Sequence, residues 1–293
     1  MYTFDQVRCF VVVAEELHFG RAAERLHMTQ PPLSRQIQKL ERHIGLQLLD
    51  RNSRGVALTP AGEAFLAECY RILDSVRLAP RKAQLIAEGL VGLLRIGYTA
   101  TAGFSILGDL LAQLRATVPE VEVQLSEQVT STQIAALESG TIDLSLGRPP
   151  FPEETLESVS ILRDRLVLAM PEGSADGDGP IPLETLAGHP FIMFSPTDAR
   201  YFHDLVRHRY GITEEQTRFQ VTQVVTMVAL VARGHGIAIV PASTQRLGTS
   251  GVAFRELAGE PTTVDLHAAW PRRSTNPALP HALRAIRELD LVS

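Results

Sequence analysis

Cysteine is scarce in this chain: Cys9 and Cys69 are the only two among 293 residues. Both fall at apolar positions of helical patterns, so they read as reduced core thiols of a cytosolic protein, and no disulfide framework is expected. Long hydrophobic runs are missing too. No segment reaches the length needed to span a membrane. The opening stretch MYTFDQVRCFVVVAEE has neither the basic start nor the apolar length of a secretory signal. The short motifs of catalysis are also missing: there is no G-x-S-x-G elbow, no H-E-x-x-H and no Walker A loop. The nine histidines show no ligand cluster, and His203 and His208, five residues apart, fall on different helix faces. Gly234-His235-Gly236 reads as a turn closing a helix rather than a phosphate loop. Neither an enzyme nor a metal or other cofactor is expected. Positive charge is in deficit as well, at a net −5, unlike a typical nucleic-acid binder.

That deficit is unevenly spread. Residues 1–58 carry eight Lys/Arg against six Asp/Glu, so a mildly basic head precedes an acidic body. This fits local contact with DNA and little non-specific sticking. Phe4, Val7, Phe10, Val11, Ala14 and Leu17 predict a first amphipathic helix. Arg21 to Leu26 predicts a short second helix with Ala22, Ala23 and Leu26 inward. A third helix opens at Thr29, read as a hydroxyl cap, with Pro31 and Pro32 in its first turn. Leu33, Ile37, Leu40 and Ile44 form its buried stripe, and Gly45 ends it. Gln30, Ser34, Arg35, Gln38, Lys39 and Arg42 lie off that stripe, with one acid, Glu41, among them. Such a face suits a DNA major groove; taken alone, it is better read as the solvated face of an ordinary helix. Two apolar arms around Asp50 to Gly55 predict a β-hairpin wing whose Arg51 and Arg54 can reach a phosphate or a minor groove.

These pieces carry a resemblance. AA-x-x-L, S/T-Q-P-x-x-S, L-E-x-x-I/L-G, L-x-x-R and L-T-x-A-G stand in order across about 60 residues, a match far more specific than any short motif. The stretch resembles the winged helix-turn-helix DNA-binding domain of the LysR-type transcriptional regulators. The resemblance implies that Gln30, Pro31, Pro32, Ser34 and Arg35 contact bases or backbone, with Arg51 and Arg54 in the wing.

After the head, Thr59-Pro60 starts a helix expected to run to about Glu88. Phe65, Cys69, Ile72, Val76, Ala79, Ala83 and Ile86 recur at alternating spacings of four and three, a coiled-coil seam that predicts dimerisation through residues 59–89. Pro80 lies beside the seam and predicts a bend or an early end. Gly89 to Gly92 reads as a hinge.

Residues 90–293 alternate strands and helices. Strands are expected at Leu93–Tyr98, Val121–Leu125, Ile142–Leu146, Ile161–Met170, Phe191–Phe194, Thr217–Val221, Ile237–Val240 and Val264–Ala269. The alternation predicts an α/β body with a parallel sheet and helices over both faces. The body resembles the effector domain of the same family, two α/β lobes similar to periplasmic binding proteins, and ALVARGHGIAIVPAS is phrasing typical of it. Within the family it is most similar to regulators of aromatic breakdown (benzoate, catechol, chlorocatechol).

Two stretches after strands, Thr99-Ala100-Thr101 and Val129-Thr130-Ser131, lead into helices whose starts meet at one cleft edge and favour an anion. Each threonine alone is equally a plain cap. The resemblance matches Thr101 and Thr130 to carboxylate-holding positions and Arg148 and Phe202 to cleft positions. Thr99 and Arg200 join this expected effector site. Asp198 and Arg200 lie in the loop SPTDARYF, which departs from the Pro-rich loop of the aromatic subgroup. Two readings follow. One is a cytoplasmic, homotetrameric regulator of promoter DNA that responds to a small carboxylate. The other is a constitutive repressor or architectural protein whose body only oligomerises. A two-lobed body with a cleft favours the first.

Overall fold

The protein is represented by a computed structural model that describes residues 1–52, 55–174 and 179–289. Its contacts divide it into two units, residues 1–84 and 85–293.

The first unit begins with α1 (Phe4–Glu16), opened by a capping box. The Gln6 backbone N–H donates to the Thr3 hydroxyl, and the Thr3 N–H donates to the Gln6 side chain. Val7, Phe10, Val11 and Ala14 are buried, whereas Phe4 and Leu17, expected inside, are 40% and 44% exposed because they stand at the two ends of the helix. His18 starts α2 (Phe19–Arg25): its Nδ1 accepts from the Gly20 and Arg21 N–H groups. The packed side chains of α3 (Gln30–Ile44) are Leu33, Ile37 and Leu40, all fully buried, with Ile44 half-buried. Thr29 occupies the cap position of α3 but its side chain makes no capping bond, contrary to expectation. The reason is local. A cap hydroxyl needs the N–H of the second or third helical residue, and those residues are Pro31 and Pro32, which have none.

β1 (Leu49–Asn52) and β2 (Gly55–Leu58) pair antiparallel as the expected wing. Thr59 does cap the next helix, accepting from Gly62 N–H at 3.0 Å and donating to Gln47 C=O at 2.8 Å. Gly62 is buried so closely under Leu48 that a Cβ there would strike the Leu48 carbonyl. α4 (Pro60–Ala87) then runs 28 residues, about 42 Å, and continues through Pro80, so it does not end early there. The first part of its seam is not free. Phe65, Cys69 and Leu73 pack into the core of their own head, and Tyr70 donates to Glu15 at 2.8 Å. Val76 and Ile86 remain 48% and 43% exposed. Both cysteines are buried and free, and burial pushes the Cys69 thiol up to about 11.

The second unit has two lobes. In lobe 1, β3 (Val91–Tyr98) is followed by α5 (Ala100–Ser105), α6 (Leu107–Thr117), β4 (Glu120–Glu127), α7 (Thr130–Glu138) and β5 (Leu144–Gly147). β3 lies between β4 and β5, parallel to both. β6 (Leu156–Pro171) leaves lobe 1 and enters lobe 2 without a break. Lobe 2 holds β7 (Phe191–Phe194), α8 (Arg200–Tyr210), β8 (Thr217–Val221), α9 (Val224–Ala232), β9 (Ala238–Pro241) and β10 (Val252–Arg255). β11 (Thr263–Pro271) returns to lobe 1, and α10 (Leu279–Glu288) closes it.

The sheet order β10-β6-β11-β5-β3-β4, with β9 also on β6, is mixed rather than parallel as expected. Parallel neighbours need a crossover, and helices supply one from β3 to β4, from β4 to β5 and from β7 to β8. β6 is entered from a loop and pairs antiparallel with β11, β9 and β10. Each lobe has its own core. Leu94, Ile96, Leu110, Leu144, Leu266 and Ala282 are central in lobe 1, and Phe191, Ile192, Val206, Val228 and Ile239 in lobe 2. Among the described residues no helix is long and apolar enough to cross a membrane.

Candidate functional site

In the first unit, the stripe that buries α3 fixes what its outer face presents. Gln30, Pro31 and Arg35 are exposed, Pro32 and Ser34 partly so, and Gln38, Lys39 and Arg42 extend the same face. Arg42 Nε donates to the Gln38 carbonyl at 3.3 Å. Arg35 and Lys39 make no side-chain hydrogen bond or ion pair among the described residues, so their charges stand ready for a partner.

Glu41 does not belong to that face. Its carboxylate accepts from the Leu48 and Leu49 N–H groups at 3.0 and 3.1 Å and from Arg51 Nη2 at 3.0 Å. The Arg51 guanidinium also lies over the Phe19 ring, 4.9 Å from its centroid. Arg51, expected to reach DNA, is thus occupied in tying the wing to α2 and α3. Its ion pair is only 29% and 14% exposed at the two side chains. Arg54 lies outside the described residues. Sequence reasoning missed this clasp, although its Glu and Arg stand in the motifs L-E-x-x-I/L-G and L-x-x-R.

In the second unit, a cavity of about 200 Å³ opens between the lobes. It brings together every residue expected there: Thr99, Thr101, Thr130, Arg148, Arg200 and Phe202, with Asp198 as well. Thr99 and Val129 hold the cap positions of α5 and α7, and neither side chain caps. The Thr99 and Thr101 hydroxyls instead lie 3.2 Å apart. Thr130 Oγ1 accepts from the Arg148 N–H at 2.9 Å, which leaves its proton to donate. Arg148 follows β5 directly and is 4% exposed. Its Nη2 donates to Thr101 Oγ1 at 3.4 Å and its Nη1 to the Val264 carbonyl at 3.5 Å, while Nε is buried without a partner among the described residues. The guanidinium lies 5.0 Å from the centroid of the Phe202 ring, which itself stacks on Phe194 at 4.7 Å.

Burial pushes Arg148 down to about 10, with Asp164, Tyr201 and Asp265 acting the other way. It therefore stays cationic at neutral pH. No carboxylate lies within ion-pair distance of it among the described residues. A buried cation of this kind is stabilised by an arriving anion. Arg200 differs from expectation: it is exposed and donates to Asp204 at 3.2 Å, so its charge is already answered. Gln128 was not foreseen. It lines the cavity with a buried side-chain oxygen that has no partner among the described residues; its place between β4 and α7 is the only signal it gives. No group of three or more His, Cys, Asp or Glu among the described residues could hold a metal.

Two family profiles match the chain: a bacterial regulatory helix-turn-helix protein of the lysR family over residues 4–63, and a LysR substrate binding domain over residues 87–290. The chain belongs to the LysR family of transcriptional regulators. This LysR-type regulator is 38% identical to the HTH-type transcriptional regulator YnfL of Escherichia coli, over 96% of this chain and 98% of YnfL. It is 33% identical to the HTH-type transcriptional regulator ClcR of Pseudomonas putida, over 94% of this chain and 95% of ClcR. The crystal structure of full-length CbnR complexed with its target DNA superposes with a TM-score of 0.82 at 30% identity, covering 98% of this chain and 99% of that one. The LysR-type regulator is accordingly a DNA-binding transcription factor with a helix-turn-helix and an effector-binding domain, not an enzyme.

Proposed function

We propose that this regulator reads double-stranded promoter DNA through Gln30, Ser34 and Arg35 of α3, while Pro31 and Pro32 shape the entry to that helix. Arg51 holds the wing in place, and Arg54 is the wing's phosphate contact by family resemblance. Residues 1–58 are the DNA-binding domain, residues 59–89 pair two heads into a dimer, and residues 90–293 hold the effector. Family resemblance extends the dimer to a cytoplasmic homotetramer built through the bodies.

The effector is a small carboxylate bound between the lobes. One observation carries this reading: Arg148 is buried and charged, with no counter-ion among the described residues, beside the Thr101 and Thr130 hydroxyls. Resemblance to the aromatic-catabolism regulators, with ClcR and CbnR at 33% and 30% identity, supports a muconate- or benzoate-like acid as the first class to try. Binding between lobes shifts the assembly between two shapes and so changes how the DNA is held.

Two measurements test this. Titration calorimetry with benzoate and muconate on the full-length protein should give binding that Thr101→Val with Thr130→Val weakens at least tenfold. Unchanged affinity in that double variant places the site elsewhere. For DNA, Arg35→Ala should lower the ratio of specific to random affinity by about 1–3 kcal/mol, and an unchanged ratio removes Arg35 from the reading set.

A further inference from the structure

The cavity between the lobes holds a second charge that a simple acid leaves unanswered. Asp198 lines it from lobe 2, just before α8, while Arg148 lines it from lobe 1. Its Oδ2 accepts from Ser195 Oγ and Thr197 Oγ1, both at 3.1 Å, and from Thr222 Oγ1 at 3.5 Å. These hydroxyls orient the carboxylate. Neither they nor any ion pair among the described residues supplies a cation. Thr222 and Thr197 line the same cavity, as does Gln128, whose side-chain oxygen has no partner among the described residues. Lobe 1 therefore brings a buried cation with the Thr101 and Thr130 hydroxyls to the cavity, and lobe 2 brings an anion. A plain aromatic or aliphatic acid placed against Arg148 answers that charge and brings no cation to Asp198.

We infer that the effector is a small zwitterion, an amino-acid-like molecule whose carboxylate meets Arg148, Thr101 and Thr130 and whose ammonium meets Asp198. This rests on the carboxylate reading above and adds the second pole. It also gives the ligand a reason to act on shape. The two poles belong to different lobes, so one molecule answering both charges holds the lobes together, whereas an acid answering only Arg148 does not.

The test compares matched pairs on the full-length protein by calorimetry: leucine with isocaproate, and phenylalanine with hydrocinnamate. Within at least one pair the amine-bearing member should bind about tenfold or more tighter, the range of a charge-assisted hydrogen bond. Asp198→Asn should erase that preference while keeping the affinity for the acid lacking the amine. Asp198 is exposed at the cavity mouth, so the variant is expected to fold, and its thermal midpoint should match wild type. If the acids lacking the amine bind as well as or better than their partners, or if Asp198→Asn keeps the preference, the zwitterion inference falls while the carboxylate site stands. If no member of any pair binds, both fall.

Discussion

Thr29 and Thr59 occupy equivalent positions before α3 and α4, yet only Thr59 caps its helix. The difference lies in the residues that follow. Pro31 and Pro32 leave Thr29 no N–H to accept from, whereas Thr59 finds the Gly62 N–H. The two threonines should therefore separate in a denaturant titration. Thr59→Ala should lower stability by about 1 kcal/mol, while Thr29→Ala should leave it nearly unchanged and act, if anywhere, on DNA affinity. Equal losses in urea melts would contradict this. The same logic separates the arginines. Arg51 and Arg148 are held by named partners and shape the sites, Arg200 is answered by Asp204, and Arg35 is free.

At the level of elements, most of the chain was legible in the sequence because the periodicities are local. The stripe of α3, the wing, and the strands at β7 and β8 follow from spacing alone. Three things did not. The antiparallel course of β6 depends on which strand lies beside it, and partners far apart in the chain leave no periodic trace. β10, VAFR, is only partly buried at all four positions, so it shows neither the fully apolar run of β7 nor an alternation. The seam on α4 looked uniform, but Phe65 and Cys69 face their own head, so only its later part is open to a second copy. Of the effector site, the threonines and Arg148 were legible through family motifs, while Gln128 became visible only through burial. The exposed stretch of α4 yields a prediction. Val76→Asp should leave the head folded, since Val76 is 48% exposed, and should shift the tetramer toward dimers joined only through the bodies in light scattering coupled to gel filtration. An unchanged mass would show that α4 pairs elsewhere or not at all.

At the level of the whole molecule, β6 and β11 determine what can be separated. β11 lies between β6 and β5, so the inner strand of lobe 1 comes from the far end of the chain. A protein ending after Pro261 loses β11 and α10. It should then lose the core of lobe 1 as well as the cleft, which would appear in calorimetric melting as loss of the main transition. Retention of that transition would mean that the lobe folds without its inner strand. The threading of β6 through both lobes has a consequence for inheritance. Lobe 2 is one uninterrupted stretch between β6 and β11, whereas lobe 1 is built from two stretches of coding sequence, one before it and one after. A recombination that splices two relatives once inside the body divides lobe 1 between parents, joining strands that were never selected to lie side by side. New ligand preferences in such a body therefore arise more readily by point changes at the cleft rim, as at Asp198, or by exchange of the whole effector-binding segment, than by a single splice within it.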